Sequence, residues 1–213
     1  MSAPWALLSF LLRYPDERVV AARSEVAAVE RGPVRDALER FVDEWRKPYA
    51  EHYVQTFDLR RRASLNLTYY AQGDTRERGM ALLRLKKLYR SAGLPLECDE
   101  LPDHLTVMLA FAALAPPGYG EQLLGEHRPA LELLRLSLHD LGSPYAHVLD
   151  AVAACLPRLT VKDRTEVARL AREGPPEEAV GLEPYGPPEA MGVSNGTSLN
   201  TEWPVGRGPQ EVA

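Results

Sequence analysis

Apolar residues recur three and four positions apart along most of this chain, and the runs end at proline or glycine. Trp5, Leu8, Leu11 and Leu12 form one stripe, which stops before Pro15. Val34, Leu38, Phe41, Val42 and Trp45 form another, running to Pro48, and Met80, Leu83, Leu85 and Leu88 mark a third. Leu105, Met108, Leu109 and Ala112 precede Pro116, Pro117 and Gly118, while Leu131, Leu134, Leu138 and Leu141 end at Gly142. Tyr145, Val148, Leu149, Val152 and Leu156 run up to Pro157, and a weaker segment from Thr160 to Arg172 has Thr160 or Asp163 as its N-cap. Such spacing puts the apolar side chains on one face of a helix, and the breakers close each helix. The alternation at Leu65-Asn66-Leu67-Thr68-Tyr69-Tyr70 also fits a strand. No second strand offers itself, and a lone strand leaves its backbone groups unpaired. The expectation is therefore an all-α fold.

The character changes at Gly174. Residues 174–213 are dense in proline and glycine, and their apolar residues are few and aperiodic. Such a segment buries too little surface to offset the entropy of ordering it. The chain is expected to form one helical domain over residues 1–173 and a flexible tail over 174–213. No self-similar period of repeat-protein length is visible.

Charge and cysteine usage narrow the function. A formal net charge of -5 gives no general support for nucleic-acid binding. The basic run Arg60-Arg61-Arg62 and the cations Arg84, Lys86, Lys87 and Arg90 lack the interleaved aromatics of a single-strand binder, so they read as solvated faces. Cys98 and Cys155 lie far apart and form no C-x-x-C pair, which fits a reducing cytoplasm. The apolar opening lacks a preceding basic region, and no apolar run approaches the about 20 residues of a spanning helix. The expectation is a cytoplasmic protein with no stable membrane insertion.

Catalytic patterns are weak. The histidines at 52, 104, 127, 139 and 147 form no H-E-x-x-H motif and no i, i+4 pair, and no G-x-S-x-G elbow is present. The stretch ELPDH at 100–104 is the densest polar cluster. Asp103 with His104 resembles the pair used by metal-dependent phosphohydrolases, though such a site needs further ligands from elsewhere. Read physically, Pro102 opens a helix, and Asp103 lies in its first turn, where its charge complements the helix dipole. In GDTRERG at 73–79, Asp74 and Glu77 have the spacing of a capping box.

Three stretches taken together carry a resemblance: YVQTFDL at 53–59, SLNLTYY at 64–70 leading into GDTRERG, and ELPDHL at 100–105. Their order and spacing resemble the nitrate reductase molybdenum cofactor assembly chaperones, the NarJ-like branch of the TorD-like chaperones, and LLRYPD at 11–16 is similar too. The resemblance covers residues 5–157. It implies a single helical bundle with no catalysis, cofactor or metal of its own. It implies a partner, the N-terminal segment of the apo catalytic subunit of a respiratory nitrate reductase, held while molybdenum cofactor is inserted. Carried onto this sequence, it points to Glu100, Asp103, His104 and Arg76 for polar contact with that peptide and to Phe57, Tyr69 and Tyr70 for apolar lining. Where the family often has a glutamate before an aromatic after ELPDHL, this chain has Ala110 before Phe111. A metal-dependent hydrolase using Asp103 and His104, and a helical adaptor for an unrelated partner, are the alternatives.

Overall fold

Most of the apolar stripes become inward faces of helices in a computed structural model that describes residues 3–176. The expected tail falls mostly outside these, since 177–213 are not among the described residues. The chain opens with α1 (Trp5–Leu11), α2 (Glu17–Ala21), a 3-10 stretch at Ala22–Ala28 and α3 (Pro33–Glu44). Next, α4 (Tyr49–Tyr53) continues into a π-helical turn at Val54–Asp58, followed by a 3-10 turn at Arg61–Ala63 and α5 (Leu67–Gln72). A long α6 (Arg76–Ser91) leads through a non-helical connection to α7 (Leu105–Leu114). The chain then folds through α8 (Tyr119–Glu126), α9 (Arg128–Asp140), α10 (Tyr145–Ala154) and α11 (Val161–Glu173). The fold is an all-α bundle, as the spacing predicts.

The centre is α10. Its Tyr145, Val148, Leu149 and Val152 are almost wholly enclosed, and the helix packs on α3, α9 and α1. Tyr145 is the hub of an aromatic cluster, with ring centroids 4.9 Å from Phe57, 5.5 Å from Phe41 and 5.9 Å from Tyr53. Leu8, Leu11 and Leu12 from the α1 stripe are fully buried, each worth about 1.5–3 kcal/mol of transfer free energy. Against them lies α7, tied by Ser9 Oγ donating to the Thr106 carbonyl at 2.7 Å.

Three local expectations need correction. On α6 the buried residues are Ala81, Leu85 and Tyr89, whereas Met80 and Leu83 are 58% and 52% exposed. This helix is apolar around much of its circumference, so two faces have the same spacing. Its N-cap is Thr75 without a side-chain cap, and Asp74 pairs instead with Arg78 at 2.9 Å. Finally, α7 begins at Leu105 with His104 as N-cap, so Pro102 and Asp103 precede the helix. By contrast, Thr160 does cap α11, accepting from the Asp163 N–H while Asp163 accepts from the Thr160 N–H. The stretch at 64–70 is mostly helix. Asn66, just before it, forms an antiparallel bridge with His104.

Gly120 sits where α8 crosses α7. A Cβ there would lie 2.4 Å from Ala112 Cβ and 2.5 Å from Ala112 Cα. Gly120→Ala is expected to cost about 1–3 kcal/mol through overpacking, measured by urea denaturation.

A polar clamp joins α3, α9 and α10. Asp150 accepts from Arg135 at 2.9 Å and pairs with His139 at 2.9 Å and His147 at 3.3 Å, and His147 reaches Glu44 at 3.0 Å. Burial pushes the Asp150 carboxyl up, but the hydrogen bonds from His139, Arg135 and His147 together hold it below its ordinary value. A depressed carboxylate contributes stability above its unfolded pKa and loses it as pH falls through the folded value. Asp150→Asn is therefore expected to flatten the fall in melting temperature below about pH 4, read from melts at successive pH values.

Candidate functional site

The non-helical connection between α6 and α7 is one wall of the main cleft. Gly93, in the left-handed region at φ +76°, turns the chain at the end of α6. Leu94 and Leu96 then lie half-buried beside Pro95, and Cys98 and Glu100 continue to the start of α7. Opposite stand Phe10, Arg13 and Tyr14 from the end of α1, and Val19 of α2. The α7 face contributes Val107, Ala110, Phe111 and Leu114. Together with Tyr53 and Tyr89, these residues enclose about 1110 Å³.

The cleft is apolar within and charged at its mouth. Val19, Tyr53, Tyr89 and Phe111 are buried, while Tyr14 and Leu114, 55% and 72% exposed, extend the apolar surface outward. Asp58, Glu97 and Glu100 line the mouth and are exposed, and among the described residues none of them holds an ion pair. Arg13 lies over the Phe10 ring at 5.4 Å. Burial, followed by the nearby Asp58 and Glu100, pushes the Tyr53 phenol up, so both carboxylates bear on the same part of the cleft. The π-helical turn places Asp58 there, since it follows Tyr53 directly and ends at Asp58. His104 lies at the cleft edge with Nδ1 2.7 Å from Thr106 Oγ1. Burial lowers its pKa against the opposing influence of Glu100 and Asp103.

Asp103 has another role. Its side chain is completely buried. Oδ2 accepts from Thr68 Oγ1 at 2.6 Å and Thr68 N–H at 3.3 Å, and Arg78 Nη2 lies 3.5 Å away. The Asp103 carbonyl accepts from the Leu67 N–H at 3.0 Å, and the Leu105 N–H donates to the Leu65 carbonyl at 2.8 Å. Tyr89 Oη donates to the Pro102 carbonyl at 2.6 Å. The SLNLTYY, GDTRERG and ELPDH stretches therefore converge on one buried carboxylate, which fixes the cleft wall to α5 and α6.

Of the residues expected to meet a peptide, Glu100 and His104 line this cleft. Phe57 and Tyr70 are buried elsewhere, Phe57 against Tyr145 and Tyr70 with its hydroxyl donating to the Arg62 and Ser64 carbonyls. Tyr69 is partly exposed beneath the Arg78 guanidinium at 5.8 Å, and Arg76 is exposed on α6. Asp103 has no exposed surface with which to touch a peptide directly. The apolar residues Phe10, Tyr14, Val19 and Tyr53 were missed because their helices are distant in sequence from ELPDH. One signal was available: the connection GLPLEC at 93–98 places leucines around a proline outside any helical period.

Asp103 and His104 turn to different partners, Thr68 and Thr106. Among the described residues, no three His, Cys, Asp or Glu side chains are arranged to hold a metal ion. No described helix is long and apolar enough to cross a membrane.

Residues 24–151 match the family described as nitrate reductase delta subunit. The chain is 41% identical over 152 residues to the nitrate reductase-like protein NarX of Mycobacterium tuberculosis, covering 70% of this chain but 23% of NarX. It is 34% identical over 173 residues to the probable nitrate reductase molybdenum cofactor assembly chaperone NarJ of Bacillus subtilis, covering 77% of this chain and 94% of that protein. With the Escherichia coli chaperone NarJ it shares 30% identity over 183 residues, covering 80% of this chain and 78% of that protein.

Proposed function

Since the chain belongs to the nitrate reductase delta subunit family, we propose that it is an assembly chaperone, without catalysis of its own, for the catalytic subunit of a respiratory nitrate reductase. It binds the N-terminal segment of that subunit in the cytoplasm and keeps it in a state that accepts molybdenum cofactor. The observation that carries this reading is the cleft of about 1110 Å³, apolar inside and edged by the carboxylates of Asp58, Glu97 and Glu100. An amphipathic helix lays its apolar face into such a groove, and its basic residues meet the acidic mouth. The NarJ proteins of B. subtilis and E. coli, named as molybdenum cofactor assembly chaperones of nitrate reductase, support the assembly role along most of their length.

Calorimetric titration with a synthetic peptide of the subunit's N-terminal segment tests it. Binding in the micromolar range, about -8 kcal/mol, is expected. Added salt should weaken it, because exposed carboxylates are screened. Glu100→Lys should weaken it further while leaving the melting temperature within about 2 °C, as for an exposed surface substitution. Absence of heat at every pH and salt concentration, with folded protein, would overturn the proposal.

A further inference from the structure

We infer that the outward face of α6 is a docking surface for an anionic lipid bilayer, used peripherally and independently of the cleft. Met80, Leu83, Lys87 and Arg90 follow one another at helical spacing along this face, with Arg84 and Lys86 flanking them. The stripe from Met80 to Arg90 extends about 15 Å at the helical rise. Its two apolar residues stand out into solvent at 58% and 52% exposure, and the four cations are exposed. Among the described residues, Arg84, Lys86, Lys87 and Arg90 hold no ion pair.

The charge of the whole chain is -5, yet this face presents four cations within about two turns. Charges further off than about 8 Å are screened at physiological salt, so a surface meeting this helix responds mainly to the local cations. A single exposed helix presents a convex ridge. Leu83 and Met80 would enter the headgroup layer, while the flexible stems of the lysines and arginines leave their heads among lipid phosphates. Among the described residues no hydrogen bond or ion pair orients these cations, which suits a fluid layer of anions better than carboxylates fixed on a folded protein. The helix is already formed and anchored on its inner side by Ala81, Leu85 and Tyr89, so docking orders no new chain. Tyr89 lines the cleft from that inner side, so the outward face points away from it. The docking is superficial, in keeping with the lack of any described helix long and apolar enough to cross a membrane.

Co-sedimentation of the full chain with vesicles tests the inference. Vesicles of phosphatidylglycerol mixed with phosphatidylcholine are expected to bind at least about tenfold more protein than phosphatidylcholine alone, and salt should release it. Lys86→Glu with Lys87→Glu should abolish binding, as should Met80→Asp with Leu83→Asp. All four sites are exposed, so melting temperatures should stay near wild type, and Lys87→Glu alone should give an intermediate loss. Equal binding to both vesicle types, no binding to either, or persistence of binding in the double variants would overturn it. Stronger binding to soluble polyglutamate than to anionic vesicles would also overturn it, identifying an acidic protein as the partner.

Discussion

Asp103→Ala is expected to lower stability by about 3–5 kcal/mol. The carboxylate is completely buried, and Thr68 gives it two hydrogen bonds. Its removal leaves the Thr68 hydroxyl without an acceptor and Arg78, whose side chain is 14% exposed, without its buried counter-charge. Each loss exposes an uncompensated desolvation cost. In a chain of this size the melting temperature should fall by about 6–20 °C. Arg78→Met added to Asp103→Ala should recover part of the loss, because it removes a largely buried cation left with only the exposed Asp74 as counter-charge. A fall under about 2 °C, or no recovery in the pair, would show that the three stretches are held together by packing alone.

Ala110→Trp should strongly weaken peptide binding without harming the fold. Ala110 lies on the cleft face of α7, half-buried, with open volume before it. An indole there occupies space that a client's apolar side chains would fill. A loss of at least about 30-fold in affinity is expected, equivalent to ~2 kcal/mol, as for removal of a central anchor of an interface. The melting temperature should change little. Ala110→Glu, which adds a carboxylate to the cleft face of α7, should instead strengthen binding of an arginine-bearing peptide. Unchanged affinity in Ala110→Trp, with peptide binding intact in wild type, would place the client elsewhere on the surface.

How much of this was legible in the sequence depends on the range of the interactions. Leu8, Leu11 and Leu12, or Tyr145, Val148 and Leu149, reveal their inward faces by spacing alone, because one helix turn determines which side chains share a face. The same rule fails on α6, where Met80 and Leu83 have as regular a spacing as Leu85 and Tyr89 but face water. Asp103 shows a different limit. A charge beside proline and histidine reads as exposed until Thr68, 35 residues earlier, is brought against it by the fold. The cleft is less legible still, since Tyr14, Tyr53, Leu96 and Phe111 come from four separate segments. Of the residues named from the sequence, Glu100 and His104 line it, and they belong to the motif that also holds the wall in place.

The packing of α1 on α7 also sets a timetable for biosynthesis. Ser9 and the Thr106 carbonyl that it meets are 97 positions apart. At about 5–20 residues per second, a ribosome needs about 5–20 s to deliver the second after the first. Throughout that interval the leucines of α1 lack the surface of α7, on which this helix packs most extensively. The first helix thus waits, apolar face uncovered on that side, until α7 arrives and closes the helix and one wall of the cleft together.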